Sequence, residues 1–270
     1  MPGPALRSAA DGDEVSGVHL PAESSIRVIL LDIEGTTTPI DFVTKTLFPY
    51  ASRKIDSFLR ENSQYQAVRT LVAELRHQQQ EDTKRGFRPP DWNQEEQEAE
   101  ISSAAAYCRW LIEKDSKCTP LKALQGMLWQ AGYANGELQG QVYPDVPRAF
   151  ERWRRQKREI AIYSSGSVLA QRLLFQTTQF GDLTKFIRNY FDTNTGAKQD
   201  PESYKKIADS LGLSADGVLF ISDAVKEVQA ARAVGMYSLL CDRAKPSVAP
   251  ATNSGVAQSF DLLFPEIGRI

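Results

Sequence analysis

The chain has 270 residues, of which 41% are hydrophobic and 24% charged, and its formal net charge is −2. That length predicts one large or two unequal domains with a sizeable core, and the balanced charge argues against a nucleic-acid partner. Three cysteines without a Cys-x-x-Cys pair argue against a disulfide framework and for a reducing, cytoplasmic setting. Two distant histidines, His19 and His77, argue against a zinc centre or a serine–histidine triad.

Residues 1–25 carry Pro, Gly, Ala, Ser and Asp without an apolar run, which predicts a mobile tail and no signal peptide. No stretch approaches the roughly 20 apolar residues that span a bilayer, so no membrane association is expected. Val28-Ile29-Leu30-Leu31 is a continuous apolar run of the kind that forms a buried parallel strand. It ends at Asp32, and Gly35 with Thr36-Thr37-Thr38 then signals a turn. Asp32 is therefore expected at the carboxyl end of a central strand, where open α/β sheets bind ligands. Glu34, two residues on, falls on the same side of the pleat if the strand persists. Two acids so close repel unless a cation or a proton lies between them.

From Tyr50 the apolar period becomes helical, through Ile55, Phe58, Leu59, Val68, Leu71, Val72 and Leu75. Gln78 to Glu100 is polar, and its acidic run predicts a solvated loop entering a helix with an acidic first turn. Helical spacing returns from Ile101 to Tyr133, with Thr119 as an N-cap before Pro120. Residues 45–140 thus read as an all-helical cap inserted into an α/β core of residues 26–44 and 141–270. In that core, strands are expected at 160–163, 186–191, 218–221 and 236–241, alternating with helices near 147–157, 167–175, 202–211 and 224–234. This alternation predicts βαβ units and a parallel sheet. A Pro/Ser/Asn loop over 245–255 and a short docking helix within 259–270 complete the chain.

Four positions at the ends of these units carry the groups that phosphoryl chemistry needs. Asp32 is a candidate carboxylate nucleophile. Ser164 and Ser165 precede a helix whose free N–H groups make an anion site. Lys198 is a lone cation ahead of another helix, and Asp223 is a second carboxylate that with Asp32 could hold Mg²⁺. Singly, each has a plain structural explanation: an N-cap serine, a solvated lysine, a turn aspartate. All four in order, each at the end of a βα unit, are much harder to obtain by accident.

The layout Asp32/Glu34, Ser164, Lys198, Asp223 resembles the four motifs of the haloacid dehalogenase superfamily, a doubly wound parallel sheet with an inserted helical cap. The segments 31–40, 48–50, 162–167, 191–193 and 202–208 are similar at closer range to the enolase-phosphatase (acireductone synthase) family of methionine salvage. The likeness covers about residues 26–265. It implies 2,3-diketo-5-methylthiopentyl 1-phosphate as substrate, an acireductone and phosphate as products, and Mg²⁺ as cofactor. It further implies that Asp32, Glu34 and Asp223 are metal-associated and that Ser164, Ser165 and Lys198 contact substrate. Asp32 would attack phosphorus, and Glu34 would act as general acid and base. The group that moves the enolisation proton is left open between Glu34 and a cap side chain. A sugar-phosphate phosphatase or phosphomutase of the same fold is the nearest rival. A dehalogenase and a non-catalytic binding module are more distant ones. A monomer, in the cytoplasm with the nucleus as an alternative, is the expectation for the assembly and its location.

Overall fold

A computed structural model describes residues 25–244 and 255–265. The tail expected over residues 1–25 and the loop expected over 245–255 fall almost wholly outside the described residues, as do positions 266–270.

Six strands form one sheet: β1 (Val28–Leu31), β2 (Glu159–Tyr163), β3 (Ile187–Phe191), β4 (Val218–Ser222), β5 (Tyr237–Cys241) and β6 (Val256–Ala257). Their order is β3-β2-β1-β4-β5-β6, and every neighbouring pair is parallel. β1 and β4 are buried throughout, which is why both read as unbroken apolar runs. The order reverses direction beside β1, so a crevice opens where the carboxyl ends of β1, β2 and β4 lie side by side. The two-residue β6 had no sequence signal; it is too short for any periodicity and exists only by pairing with Leu240 and Cys241.

Between β1 and β2 the chain runs through α1 (Ile40–Phe42), a π-helical turn (Val43–Leu47), α2 (Phe48–Asn62), α3 (Gln66–Lys84), α4 (Gln97–Glu113), α5 (Thr119–Ala134) and α6 (Asp145–Arg155). The acidic run does supply the first turn of α4, through Glu98 and Glu100. At α5 the cap position belongs to Cys118, not Thr119. Pro120 is tolerated there because the first helical N–H groups have no intrahelical acceptor. α3 runs to Lys84, beyond the expected stop near Gln78, because buried Gln79 and Asp82 continue its inner face with polar side chains. Asp82 accepts a 2.7 Å hydrogen bond from Tyr107 Oη, which satisfies it in the interior.

The remaining helices, α7 (Val168–Gln176), α8 (Pro201–Leu211) and α9 (Val225–Ala233), cover the sheet. Asp200 caps α8 by accepting from Glu202 N at 3.0 Å, and Gly212 closes it with φ at 70°. Within 259–265, the described part of the segment where a docking helix was expected, the chain forms a 3₁₀ turn at Phe260–Leu262.

Apolar side chains gather in three clusters. Two flank the sheet, one of them centred on Trp153, Phe150 and Ile29 and the other on Tyr204, Phe220 and Leu30. The third is built only from residues between Ala51 and Leu128, in α2 to α5. Leu47, Tyr50, Trp129 and Tyr133 belong instead to the first sheet cluster, so the helical layer is rooted in the sheet's own core. Arg243 ties the loops below the crevice together: it contacts Asp145 at 2.6 Å and donates to Thr36 O at 2.7 Å. Thr36 in turn accepts from Asp223 N at 3.1 Å through its hydroxyl.

Candidate active site

Asp32 follows β1 directly, and its backbone N–H still donates to Ile221 O at 3.0 Å, extending the sheet by one bond. The chain then turns away. Gly35 adopts φ 68°, and the N–H groups of Thr36, Thr37 and Thr38 all reach back to Ile33 O. A Cβ on Gly35 would sit 2.1 Å from Asp223 Oδ2, so glycine is required both by the left-handed backbone and by the approach of the second acid.

Asp32 is buried, at 5% exposure, and its Oδ1 accepts from Ile33 N at 2.7 Å and from Lys198 Nζ at 2.6 Å. Lys198 also meets Glu227 Oε2 at 2.7 Å. Burial pulls the Lys198 ammonium down in pKa, but Asp32 and Glu227 outweigh it and hold the group above its ordinary value. Lys198 is therefore a permanent cation, and the solvated loop lysine of the plain explanation does not apply. Its loop is anchored from beneath: Tyr204 Oη donates to Lys198 O at 2.7 Å, Tyr163 Oη to Gly196 O at 2.9 Å, and Ser203 Oγ to Ala197 O at 2.8 Å.

Glu227 has no place in the sequence analysis. The available signal was its position four residues after Asp223, in the first turn of α9, where an acid faces back towards the strand end. Ser222 Oγ donates to it at 2.8 Å and lies 3.3 Å from Asp32 Oδ2, so the β4 end holds both acids around the lysine.

Ser164 is buried at the end of β2, where its N–H donates to Phe191 O at 3.2 Å. The helix begins where the sequence placed it: Ser167 is the cap of α7, accepting from Ala170 N at 3.3 Å. Ser164 and Ser165 thus lie in the turn before the cap. Gly166 N points at Ser164 Oγ, 3.3 Å away, which closes that turn.

Asp32, Glu34, Ser164, Ser165, Lys198, Asp223 and Glu227 line one cavity, joined by Ile40. All six positions expected from the sequence therefore come together. Among the described residues, no three carboxylate, histidine or cysteine side chains converge as a ready-made metal cage. Burial raises the pKa of Glu34, and Asp32 adds to the rise while Lys117 opposes it. Burial likewise raises Asp223, again with Asp32 adding to it. Each acid resists ionisation until a cation compensates it.

A second cleft shares Glu34, Ser164 and Ser165 with the first and extends under the helical layer. Its lining combines apolar side chains, among them Val43, Leu47, Phe48 and Trp129, with the cations Lys117 and Lys122, and Lys117 Nζ lies over the Phe48 ring.

A parallel sheet with an acid, a hydroxyl pair and a lysine at its switch-point crevice is an α/β ligand site of the kind that handles phosphate groups. The family model described as haloacid dehalogenase-like hydrolase matches residues 26–235. Proteins named enolase-phosphatase E1 are similar over most of the chain. The one from Drosophila grimshawi is 46% identical over 232 residues, covering 85% of this chain and 91% of its own. The one from Synechococcus elongatus is 42% identical over 244 residues, covering 90% of this chain and all of its own. The crystal structure of UTR4 protein from Saccharomyces cerevisiae superposes with TM-score 0.68 at 32% identity, covering 87% of this chain and 99% of that one. The chain belongs to the haloacid dehalogenase-like hydrolases and, within them, to the enolase-phosphatase E1 family. It is an enzyme of the phosphatase kind.

Proposed function

We propose that this enzyme converts 2,3-diketo-5-methylthiopentyl 1-phosphate to an acireductone and inorganic phosphate, in methionine salvage. The carrying observation is the Lys198 ammonium held between Asp32 and Glu227 in a crevice that also contains Ser164, Ser165 and Asp223. The names of the similar proteins supply the enolase half of the reading.

The donor set suits Mg²⁺. Asp32 and Asp223 are hard oxygen donors, and this ion favours one or two carboxylates together with water and substrate phosphate over an all-protein cage. Asp32, Asp223 and the Glu34 position would hold it, in accord with acids that resist ionisation without a counter-charge. When bound, it would neutralise charge on the phosphoryl group and on a substrate oxyanion.

The protein's own groups divide the work. A Glu34 carboxylate takes a proton from C1 of the diketone, and the electron pair moves through C1=C2 onto the C2 oxygen. Glu34 is then the neutral acid, the state its burial favours. Ser164 and Ser165 bind the phosphate through their hydroxyls, while Lys198 balances its oxygens. An oxygen of Asp32 forms a bond to phosphorus as the bond from phosphorus to the C1 oxygen breaks, and Glu34 protonates that leaving oxygen. The Glu34 carboxylate next takes a proton from water, which attacks phosphorus and frees Asp32 with phosphate; passing that proton to the C2 oxyanion completes the acireductone and returns Glu34 to its carboxylate.

Asp32→Asn tests this. It preserves shape but removes the nucleophilic charge, so phosphate release from the diketo-phosphate is expected to stop. A phosphorylated enol should accumulate, followed by ultraviolet absorbance and phosphorus NMR. Phosphate release at the wild-type rate would remove Asp32 as nucleophile. The same assay on sugar phosphates separates the rival substrate class.

A further inference from the structure

The cleft beneath the helical layer contains two lysines that no step above uses. Lys122 lies in the first turn of α5, where the helix dipole opposes a cation. Its Nζ donates to Thr193 Oγ1 at 2.9 Å, a neutral partner on the sheet side of the cleft. Among the described residues, no carboxylate lies within ion-pair distance of it, whereas Lys117 is paired with Asp115 at 2.5 Å. Lys122 thus lines the same cleft as Leu47, Phe48 and Trp129, and among the described residues Thr193 is the one hydrogen-bond partner of its three N–H groups. Burial pulls its pKa down; Asp192 partly opposes this, and Lys117 adds to it. A cation so placed gains more from a ligand's negative charge than one already paired.

The position is informative because Glu34, Ser164 and Ser165 line this same cleft. A ligand whose phosphate rests at Ser164 and Ser165, with its first carbon at Glu34, extends its next carbons into the cleft that Trp129, Lys117 and Lys122 also line. For a diketone phosphate those carbons carry the two carbonyl oxygens.

We propose that Lys122 is a catalytic residue of the enolisation half-reaction, its ammonium donating to the diketone oxygen that becomes negative as the C1 proton leaves to Glu34. The C1–H bond breaks, its electron pair forms the C1=C2 double bond, and the carbonyl π pair settles on the C2 oxygen beside Lys122. No oxidant or reductant is needed. The inference rests on the diketo-phosphate reading of the site. It adds that one side chain of the helical layer separates an enolase-phosphatase from a simple phosphatase of the same fold.

The test compares wild-type enzyme, Lys122→Met, Lys122→Arg and Thr193→Val on two probes in D₂O with saturating Mg²⁺. One probe is the diketo-phosphate, followed by deuterium exchange at C1 and by enol absorbance. The other is a saturated alkyl phosphate of equal length, followed by phosphate release. Loss of one oxyanion donor costs about 10²- to 10³-fold in rate. Lys122→Met is therefore expected to slow C1 exchange by about 100-fold while alkyl phosphate hydrolysis falls less than about 5-fold. Lys122→Arg should recover part of the exchange rate. Thr193→Val removes the tether to the sheet and should change neither reaction by more than a few fold.

An equal fall on both probes, or a Thr193→Val defect as large as that of Lys122→Met, would make Lys122 a structural tether and overturn the inference. Unaltered C1 exchange in Lys122→Met would overturn it as well. A wild-type enzyme that hydrolyses the alkyl phosphate but leaves the diketo-phosphate untouched would overturn the functional reading and this inference together.

Discussion

At the scale of single residues, the site is a problem of charge confined in little solvent. Asp32 and Glu227 share Lys198 at 2.6 and 2.7 Å, and none of the three side chains is more than 13% exposed. Removing the lysine leaves two buried acids facing each other. Breaking such a pair from one side costs about 3–5 kcal/mol. Lys198→Ala is therefore expected to lower unfolding free energy by about that amount, measured by denaturant titration, and to lower phosphate release by more than about 10³-fold. Lys198→Ala with Glu227→Gln should regain much of the stability and none of the turnover, which distinguishes the structural cost from the chemical one. Glu34 gives a pH prediction. Its folded pKa is raised above the ordinary 4.5, chiefly by burial. The folded protein then holds more protons than the unfolded chain between the ordinary and raised values, so stability falls as pH rises through that window. In metal-free protein, Glu34→Gln should raise the melting temperature near neutral pH. That gain should disappear below the ordinary value, where Glu34 is protonated in both states. A gain independent of pH would contradict the burial argument.

At the scale of elements, the turn after β1 decides how the acids approach. Gly35 at φ 68° lets the Asp223 carboxylate come within the space a Cβ would fill. Gly35→Ala should push Asp223 aside and raise the Mg²⁺ concentration needed for half-maximal activity by at least about 10-fold, as for a perturbed ligand environment. Gly212→Ala is the control, because its φ of 70° is equally left-handed but nothing lies within 4 Å of its added Cβ. It should lose about 1 kcal/mol of stability and keep its metal requirement. Equal metal dependence in both variants would mean that the close approach at Gly35 is incidental. The π-helical turn over Val43–Leu47 has a related role. It brings Val43 and Leu47 to the cleft wall, and Leu47 O accepts from Trp129 Nε1 at 3.1 Å, which joins the start of the helical layer to α5.

At the scale of the whole molecule, we propose that the helical layer and the sheet are two units with separate cores and a shared root. One apolar cluster lies wholly within α2 to α5, while Leu47, Tyr50, Trp129 and Tyr133 pack with the sheet. Tyr107→Phe would strip the buried Asp82 of its 2.7 Å donor, at a cost of about 1–3 kcal/mol. Hydrogen exchange should then quicken in α3 and α4 while β1 and β4 keep their protection; uniform loss across the chain would mean a single cooperative unit. The sequence alone determined the parallel sheet and the ligand-facing ends of its strands, because a strand buried on both faces must be an apolar run and its end is marked by the first acid or turn residue. It determined Asp32, Ser164, Lys198 and Asp223 as candidates for the same reason. The structure alone decided that Lys198 is a buried ion-paired group, that Glu227 joins it, that β6 completes the sheet, and that Lys122 faces the cleft. Each of these depends on contacts between residues far apart in the chain, 166 positions in the case of Asp32 and Lys198. Local periodicity and turn chemistry carry no information about such contacts; only the packing of one element against another creates them.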